Sequence, residues 1–317
     1  ASRHVRIGEP SMKIAVPDLI SNSYLPAPAA VELGFFEAEG IDMSYDLIFP
    51  VDDANKAMRD GKVDFVAGSA HSTLAAFPGW NGAKLVCALS QGMYWLLIMR
   101  ADLGIERGDV DALKGLHIGA APWVELGLRR LLQESGIDPD NDLTIAPIPG
   151  TVRPGVSFGV TAAKALENGT IDGFWANAMG AEVSVRSGTG TVVLDPRRGF
   201  GPEPAFDYTW PTLATTDDLI ERQPEAVAAA VRAIVAVQAA LVADVSRATE
   251  VGEKTFPAAE ASMIADVVAR DLPFYDAAIP ERFVVGMNQF AQDMGLLNGP
   301  VGFDHVVATQ FSGLWTA

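Results

Sequence analysis

One run of elements is written twice in this chain, and that repetition constrains the fold more than any single motif. Ala57–Ala70 reads AMRDGKVDFVAGSA, and Ala165–Ala178 reads ALENGTIDGFWANA. Each copy ends a helix on an Asp-Gly or Asn-Gly pair, runs a short strand and stops in small polar residues. Glycine after Asp or Asn is a helix stop because it takes the left-handed conformation at little steric cost. Val63–Ala67 and Ile171–Trp175 are mostly apolar, each broken by one Asp, as expected of strands covered on both faces of a parallel sheet. Upstream, FFEAEGID at Phe35–Asp42 is echoed by LLQESGID at Leu131–Asp138, and KIAVP at Lys13–Pro17 by HIGAAP at His117–Pro122. Strand, helix, Gly-Ile-Asp, strand, helix, Asx-Gly, strand thus occurs twice in one order. A period of roughly 100 residues means duplicated α/β lobes and not a solenoid.

Composition sets outer limits. The 317 residues fit two or three domains, and a hydrophobic content of 49% supplies cores for two. With 23 Lys+Arg against 40 Asp+Glu, the net charge of −17 argues against nucleic acid or an anionic membrane as partner, though not against a small anion held locally. The single cysteine, Cys87, lies in the apolar run Lys84–Leu89, so a buried, inert thiol is expected. No apolar run is expected to reach the roughly 18 residues of a membrane span. The chain opens on Ala1, so either a processed mature chain or a trimmed one is expected.

In chain order, helices are expected at about Ala29–Glu39, Val51–Arg59, Ser69–Phe77, Val124–Ser135 and Thr161–Glu167. Gly150–Gly159 reads as a loop facing a cleft, Asp195–Phe206 as a long surface loop, and Phe206–Ala214 as an extended edge or crossover segment because of Pro211. From Pro224 the pattern turns wholly helical, with Pro224–Val245 the longest helix and Arg247–Lys254, Pro257–Arg270, Glu281–Met294 and Gly302–Phe311 after it. These read as packing for a lobe already made. Ser69 and Asn177 follow the repeated strands, where open α/β sheets place their ligands. The turn at Gly68–His71 suits either plain capping or, with its N–H groups free, an anion.

The ordered series AVELGFFEAEGIDM, AMRDGKVDFVAGSA, LKGLHIGAAP, LENGTIDGFWA and DDLIERQPEAVAAAVRAIVAVQ resembles the nitrate/sulfonate/taurine and thiamine-pyrimidine-precursor group of ABC-importer solute-binding proteins over about Lys13–Leu241. The resemblance implies the type II periplasmic-binding-protein fold: two α/β lobes, two crossover segments and a ligand cleft between them. On that template residues 1–98 plus 213–317 form lobe one and residues 99–212 lobe two. It further implies an extracytoplasmic, monomeric binder that delivers a small molecule to an importer permease without a cofactor. Where such proteins commonly open the first helix of lobe two on Gly-Ser, this chain has Pro122-Trp123-Val124, which points away from a small inorganic or aliphatic-sulfonate ligand.

Tyr24, Tyr94, Trp95, Trp123, Phe158, Trp175, Tyr208 and Trp210 all fall at strand ends or in loops expected to face the cleft. Aromatic faces there suit a planar ligand. Asn22, Ser69, His71, Arg153 and Asn177 are the polar groups placed to orient it, His71 and Arg153 toward a carboxylate. The expected walls are Ser69 and His71 on one side and Trp123 and Asn177 on the other, around a small planar, anionic ligand. The alternatives are an aliphatic-sulfonate or nitrate binder, or an enzyme on the same fold. HExxH and Walker motifs are absent, and His4, His71, His117 and His305 lack metal-ligand spacing. A pyrimidine synthase needs a cysteine-rich motif that one Cys cannot supply. A dehydratase needs an acid or base in the cleft, for which Asp18 is the candidate.

Overall fold

The computed structural model describes residues 11–151 and 156–316. Among these, ten strands form two five-stranded sheets. The first contains β1 (Ser11–Val16), β2 (Asp42–Leu47), β3 (Phe65–Ser69), β4 (Ala83–Ala88) and β10 (Pro211–Thr216), ordered β2-β1-β3-β10-β4. The second contains β5 (Leu96–Arg100), β6 (His117–Ala120), β7 (Thr144–Ala146), β8 (Gly173–Ala176) and β9 (Gly190–Leu194), ordered β7-β6-β8-β5-β9. Each sheet has a parallel trio, then an antiparallel strand flanking a crossing, then an outer strand. The chain crosses between the sheets over residues 89–95 and 195–210. The boundaries expected at 98/99 and 212/213 fall inside β5 and β10, each of which lies whole in one sheet.

The sequence echo extends to individual hydrogen bonds. The lone Asp in each apolar run ties its strand to the first strand of the trio. Lys13 N–H donates to Asp64 Oδ2 (2.8 Å) and His117 N–H to Asp172 Oδ2 (2.9 Å). Both helix stops close alike: Gly61 and Gly169 have φ of 72° and 71°, and the next N–H reaches back to Ala57 or Ala165.

Several expected elements differ. The helix at Ala29–Glu39 breaks into Pro26–Glu32 and Phe35–Ala38, because Gly34 takes a φ of 80°. Ser69–Phe77 is a 3₁₀ helix over Ala70–Ala75. The helix expected at Thr161 starts at Phe158. Pro211 is not on an edge: β10 lies between β3 and β4, and Pro211 is tolerated as its first residue. Residues 195–206 are a surface loop only in part: Asp195, Arg197 and Ala205 are buried within the second crossing, while Gly199, Phe200, Glu203 and Pro204 are exposed.

The helix Pro224–Ala243 overturns the expectation about membrane spans, being long and apolar enough by length and composition alone. With 61% of its apolar stretch buried inside the protein, it is a core helix whose apolar character follows from packing on more than one side. Its Gln238 donates to the carbonyls of Ala88 and Leu89 at the end of β4 (3.1 and 2.7 Å).

The helices Phe158–Glu167 and Ala178–Arg186 cross on glycines, and a Cβ at Gly180 would lie 2.7 Å from the Gly159 carbonyl oxygen. Backbone cannot yield as a side chain can. Gly180→Ala should therefore cost about 1–3 kcal/mol, read as a lower urea midpoint. An unchanged midpoint would show that the pair is free to slide apart.

Candidate ligand-binding site

A cavity lies between the sheets at the carboxyl ends of their strands. Pro17, Asp18, Ser21, Ser23 and Tyr24 reach it from the turn after β1, and Phe49 and Val51 from the turn after β2. The second half contributes Ala121, Pro122 and Val124 after β6, Ala176 and Asn177 at the end of β8, and Phe158 from the start of the helix Phe158–Glu167. Trp95 enters from the first crossing. The space within it is about 40 Å³, far below the roughly 300–1,000 Å³ of ordinary ligand pockets, so the cleft as it stands is too narrow for a ring-sized ligand.

Asp18 is the one charged side chain among the described lining residues. Its Oδ1 accepts from Ile20 N–H (3.0 Å), and its Oδ2 from the Ser157 hydroxyl (3.1 Å), which belongs to the opposite half. Burial pushes its carboxyl from 3.8 up to about 7, against the opposing pull of those two bonds. Asn177 caps the helix Ala178–Arg186, its Oδ1 accepting from Met179 and Gly180 N–H (3.0 and 3.2 Å). Its amide NH₂ is left as a donor. The Tyr24 and Tyr94 hydroxyls meet at 2.9 Å, and burial pushes both phenols up, so both stay neutral.

Of the residues singled out in the sequence, Tyr24, Trp95, Phe158 and Asn177 line the cavity. Tyr94 stands one layer back, packed on Trp95 at 4.5 Å. Ser69 Oγ is buried without a well-formed hydrogen bond, yet lies near enough to the Tyr94 hydroxyl to stabilise its charged form. His71 does not face the cavity. Its Nε2 lies 3.0 Å from the Trp123 carbonyl and its Nδ1 3.0 Å from Thr209 Oγ1. Burial pushes its imidazole from 6.5 down to about 4. Nor are the N–H groups of that turn open to an anion: Ala70 donates to Trp210 O (2.9 Å) and His71 to Thr209 Oγ1 (3.4 Å).

The remaining residues serve packing or the hinge. Trp175 is fully buried and donates from Nε1 to Val124 O (3.1 Å). Tyr208 stacks on Phe290 at 5.0 Å, and Trp210 packs on Phe283 at 5.1 Å. Asn22 donates to Asp271 Oδ2 (2.5 Å), away from the cavity. Trp123 is partly buried with a φ of +66°, which for an aromatic residue costs about 1–3 kcal/mol. Arg153 lies outside the described residues. Of the expected walls Asn177 lines the cavity, while Ser69, His71 and Trp123 give way to Asp18, Tyr24 and Phe49 facing Pro122, Val124 and Phe158. Sequence reasoning missed Phe49, Val51, Ala121, Pro122 and Val124, whose one signal was their place just past strand ends. Cys87 is buried within β4, away from the cavity.

A protein-family model described as NMT1/THI5 like matches residues 22–244. The fold is similar to that of a Bordetella bronchiseptica RB50 protein, with TM-score 0.71, 21% identity, and 90% of this chain and 89% of that one covered. It is also similar to the alkanesulfonate-binding protein SsuA from Xanthomonas axonopodis pv. citri bound to MOPS (TM-score 0.70, 12% identity, 98% and 99% covered). A third likeness is to a mutant of DszB in complex with biphenyl-2-sulfinic acid (TM-score 0.68, 15% identity, 96% and 98% covered). No curated protein matches the chain. At these identities the structures establish the fold, which is the type II periplasmic-binding fold.

Proposed function

The chain belongs to the NMT1/THI5-like family, and on that premise we propose that it is an extracytoplasmic solute-binding protein that captures a small planar molecule between two lobes and presents it to an ABC-importer permease. The lobes divide at the two crossings, and the protein acts as a monomer without a cofactor. Asp18 carries the ligand assignment. Tyr24, Trp95, Phe158 and Phe49 offer a planar ring apolar surfaces. An anionic group would meet a carboxyl and no cation among the described lining residues. The anion expected from the sequence therefore gives way to an uncharged or protonated heteroaromatic. Such a ligand donates an N–H to Asp18 and accepts one from the Asn177 amide.

A second reading, an alkanesulfonate or nitrate binder, rests on the likeness to the MOPS-bound Xanthomonas protein. An enzyme is the third, since a desulfurization enzyme has this fold and Asp18 is an acid in the cleft. Thermal unfolding with two ligand pools separates the first two. Amino-substituted pyrimidines and pyridines should raise the midpoint by about 4 °C or more, because a ligand at 100 times its Kd adds about 2.7 kcal/mol. A rise with alkanesulfonates or nitrate alone would overturn the assignment, and chemical conversion of a bound heteroaromatic would favour the enzyme.

A further inference from the structure

Two described non-glycine residues take a positive φ, Trp80 and Trp123. Trp80 is sealed in the core of the first half, whereas Trp123 is partly exposed in the turn between β6 and the helix Glu125–Glu134. A left-handed backbone crowds an L side chain against the following carbonyl, so Trp123 keeps this conformation only if its surroundings hold it there. Within the turn Glu125 N–H reaches Ala121 O (3.0 Å) and Leu126 N–H reaches Trp123 O (3.4 Å), and two side chains add to this. Trp175 Nε1–H, from the same half, fixes the Val124 carbonyl at 3.1 Å. His71 Nε2, from the opposite half, fixes the Trp123 carbonyl at 3.0 Å.

The bond from His71 has a defined polarity. A carbonyl oxygen only accepts, so Nε2 carries the proton, Nδ1 is the acceptor, and the Thr209 hydroxyl donates to it across 3.0 Å. Thr209 lies on the second crossing, which anchors the imidazole to the hinge. Trp95 and Phe290 meet the same ring edge-on at 6.2 and 5.3 Å and hold its plane. His71 is therefore a fixed donor aimed across the interface at a strained peptide. The residues flanking that peptide, Pro122 and Val124, form part of the cavity wall.

We propose that the Pro122–Val124 turn is a strained latch: His71 holds Trp123 in the left-handed conformation while the halves are together, and parting them lets the turn relax and reshapes the wall of the cavity. The closed form then contains its own opening force. An occupant touching Pro122 and Val124 biases the same two-state element that His71 does. The latch does not depend on which molecule the cavity takes.

The ligand-free protein tests this. Spin labels on Asp53→Cys and Thr144→Cys, both exposed and in opposite halves, report the separation of the halves, and the fully buried Cys87 does not compete for label. His71→Phe keeps a ring but no donor, and should shift the open-to-closed ratio roughly three- to tenfold toward open. Trp123→Gly keeps the carbonyl and removes the strain, and should shift the ratio about tenfold toward closed. If His71→Phe fails to fold, the Trp123→Gly result decides. A wild-type distribution that is wholly open, a His71→Phe distribution equal to wild type, or a Trp123→Gly protein that opens would each overturn the latch.

Discussion

Asp18→Asn should raise the stability of the protein at pH 8 and leave it nearly unchanged at pH 4. The carboxyl is pushed from 3.8 to about 7 in the folded protein, chiefly by burial. Folding therefore binds a proton between those values, and wild-type stability falls as pH rises through that window. The slope is about 1.4 kcal/mol per pH unit, and the full loss above pH 7 is at most about 4 kcal/mol. An Asn side chain has no charge to desolvate at any pH. His71 has the opposite slope: its imidazole is pushed down to about 4, so its contribution is whole above about pH 6.5 and is lost as pH falls. The two nearly cancel between pH 4 and 6.5, and removing Asp18 should unmask a rising profile there. Urea unfolding of both proteins across this range is the measurement. A wild-type–variant difference that does not change with pH would mean that Asp18 is already ionised in the folded state.

The same two residues mark where the sequence was informative about the fold and where it was not about the site. Local rules wrote the duplicated units: Asx-Gly stops, apolar runs and one Asp per run at the start of a ladder. Those rules act over a few residues, so a single sequence displays them. Pairing across the crossings is a long-range property. Nothing in Phe206–Ala214 alone announces that β10 fills a slot between β3 and β4, so Pro211 read as an edge. His71, Ser69 and Trp175 sit close to the strand ends that the sequence marked, but their side chains point into packing. Strand ends locate a site to within a residue or two, whereas facing the cavity depends on rotamers and on the opposite half. Apolar wall residues such as Pro122 and Val124 carry no chemical signature at all. Asp18 was visible only as a possible acid, because its burial depends on Ser157, 139 residues away.

Asn22 shows the same confusion of place with role, and its actual surroundings make the second strong prediction. Asp271 is buried beneath the hinge, where Arg197 Nη1 lies 3.4 Å away with side-chain exposures of 3% and 5%. The same carboxylate accepts from Arg198 (3.1 Å) and from Asn22 (2.5 Å). Arg197 in turn donates to Ser90 Oγ (2.9 Å) and Gly92 O (3.1 Å) on the first crossing. One buried guanidinium thus joins both crossings to the C-terminal helices, and burial pushes its pKa down while Asp271 opposes that shift. Asp271→Ala would strand that charge, and should cost about 3–5 kcal/mol. Arg197→Met with Asp271→Leu removes both charges and replaces them with similar volume, so it should recover most of the loss. Urea denaturation of both variants measures the loss and its recovery. If the double variant is as unstable as Asp271→Ala, the ion pair is not what holds the hinge together. Shape and the Ser90 and Gly92 contacts would then be the cause.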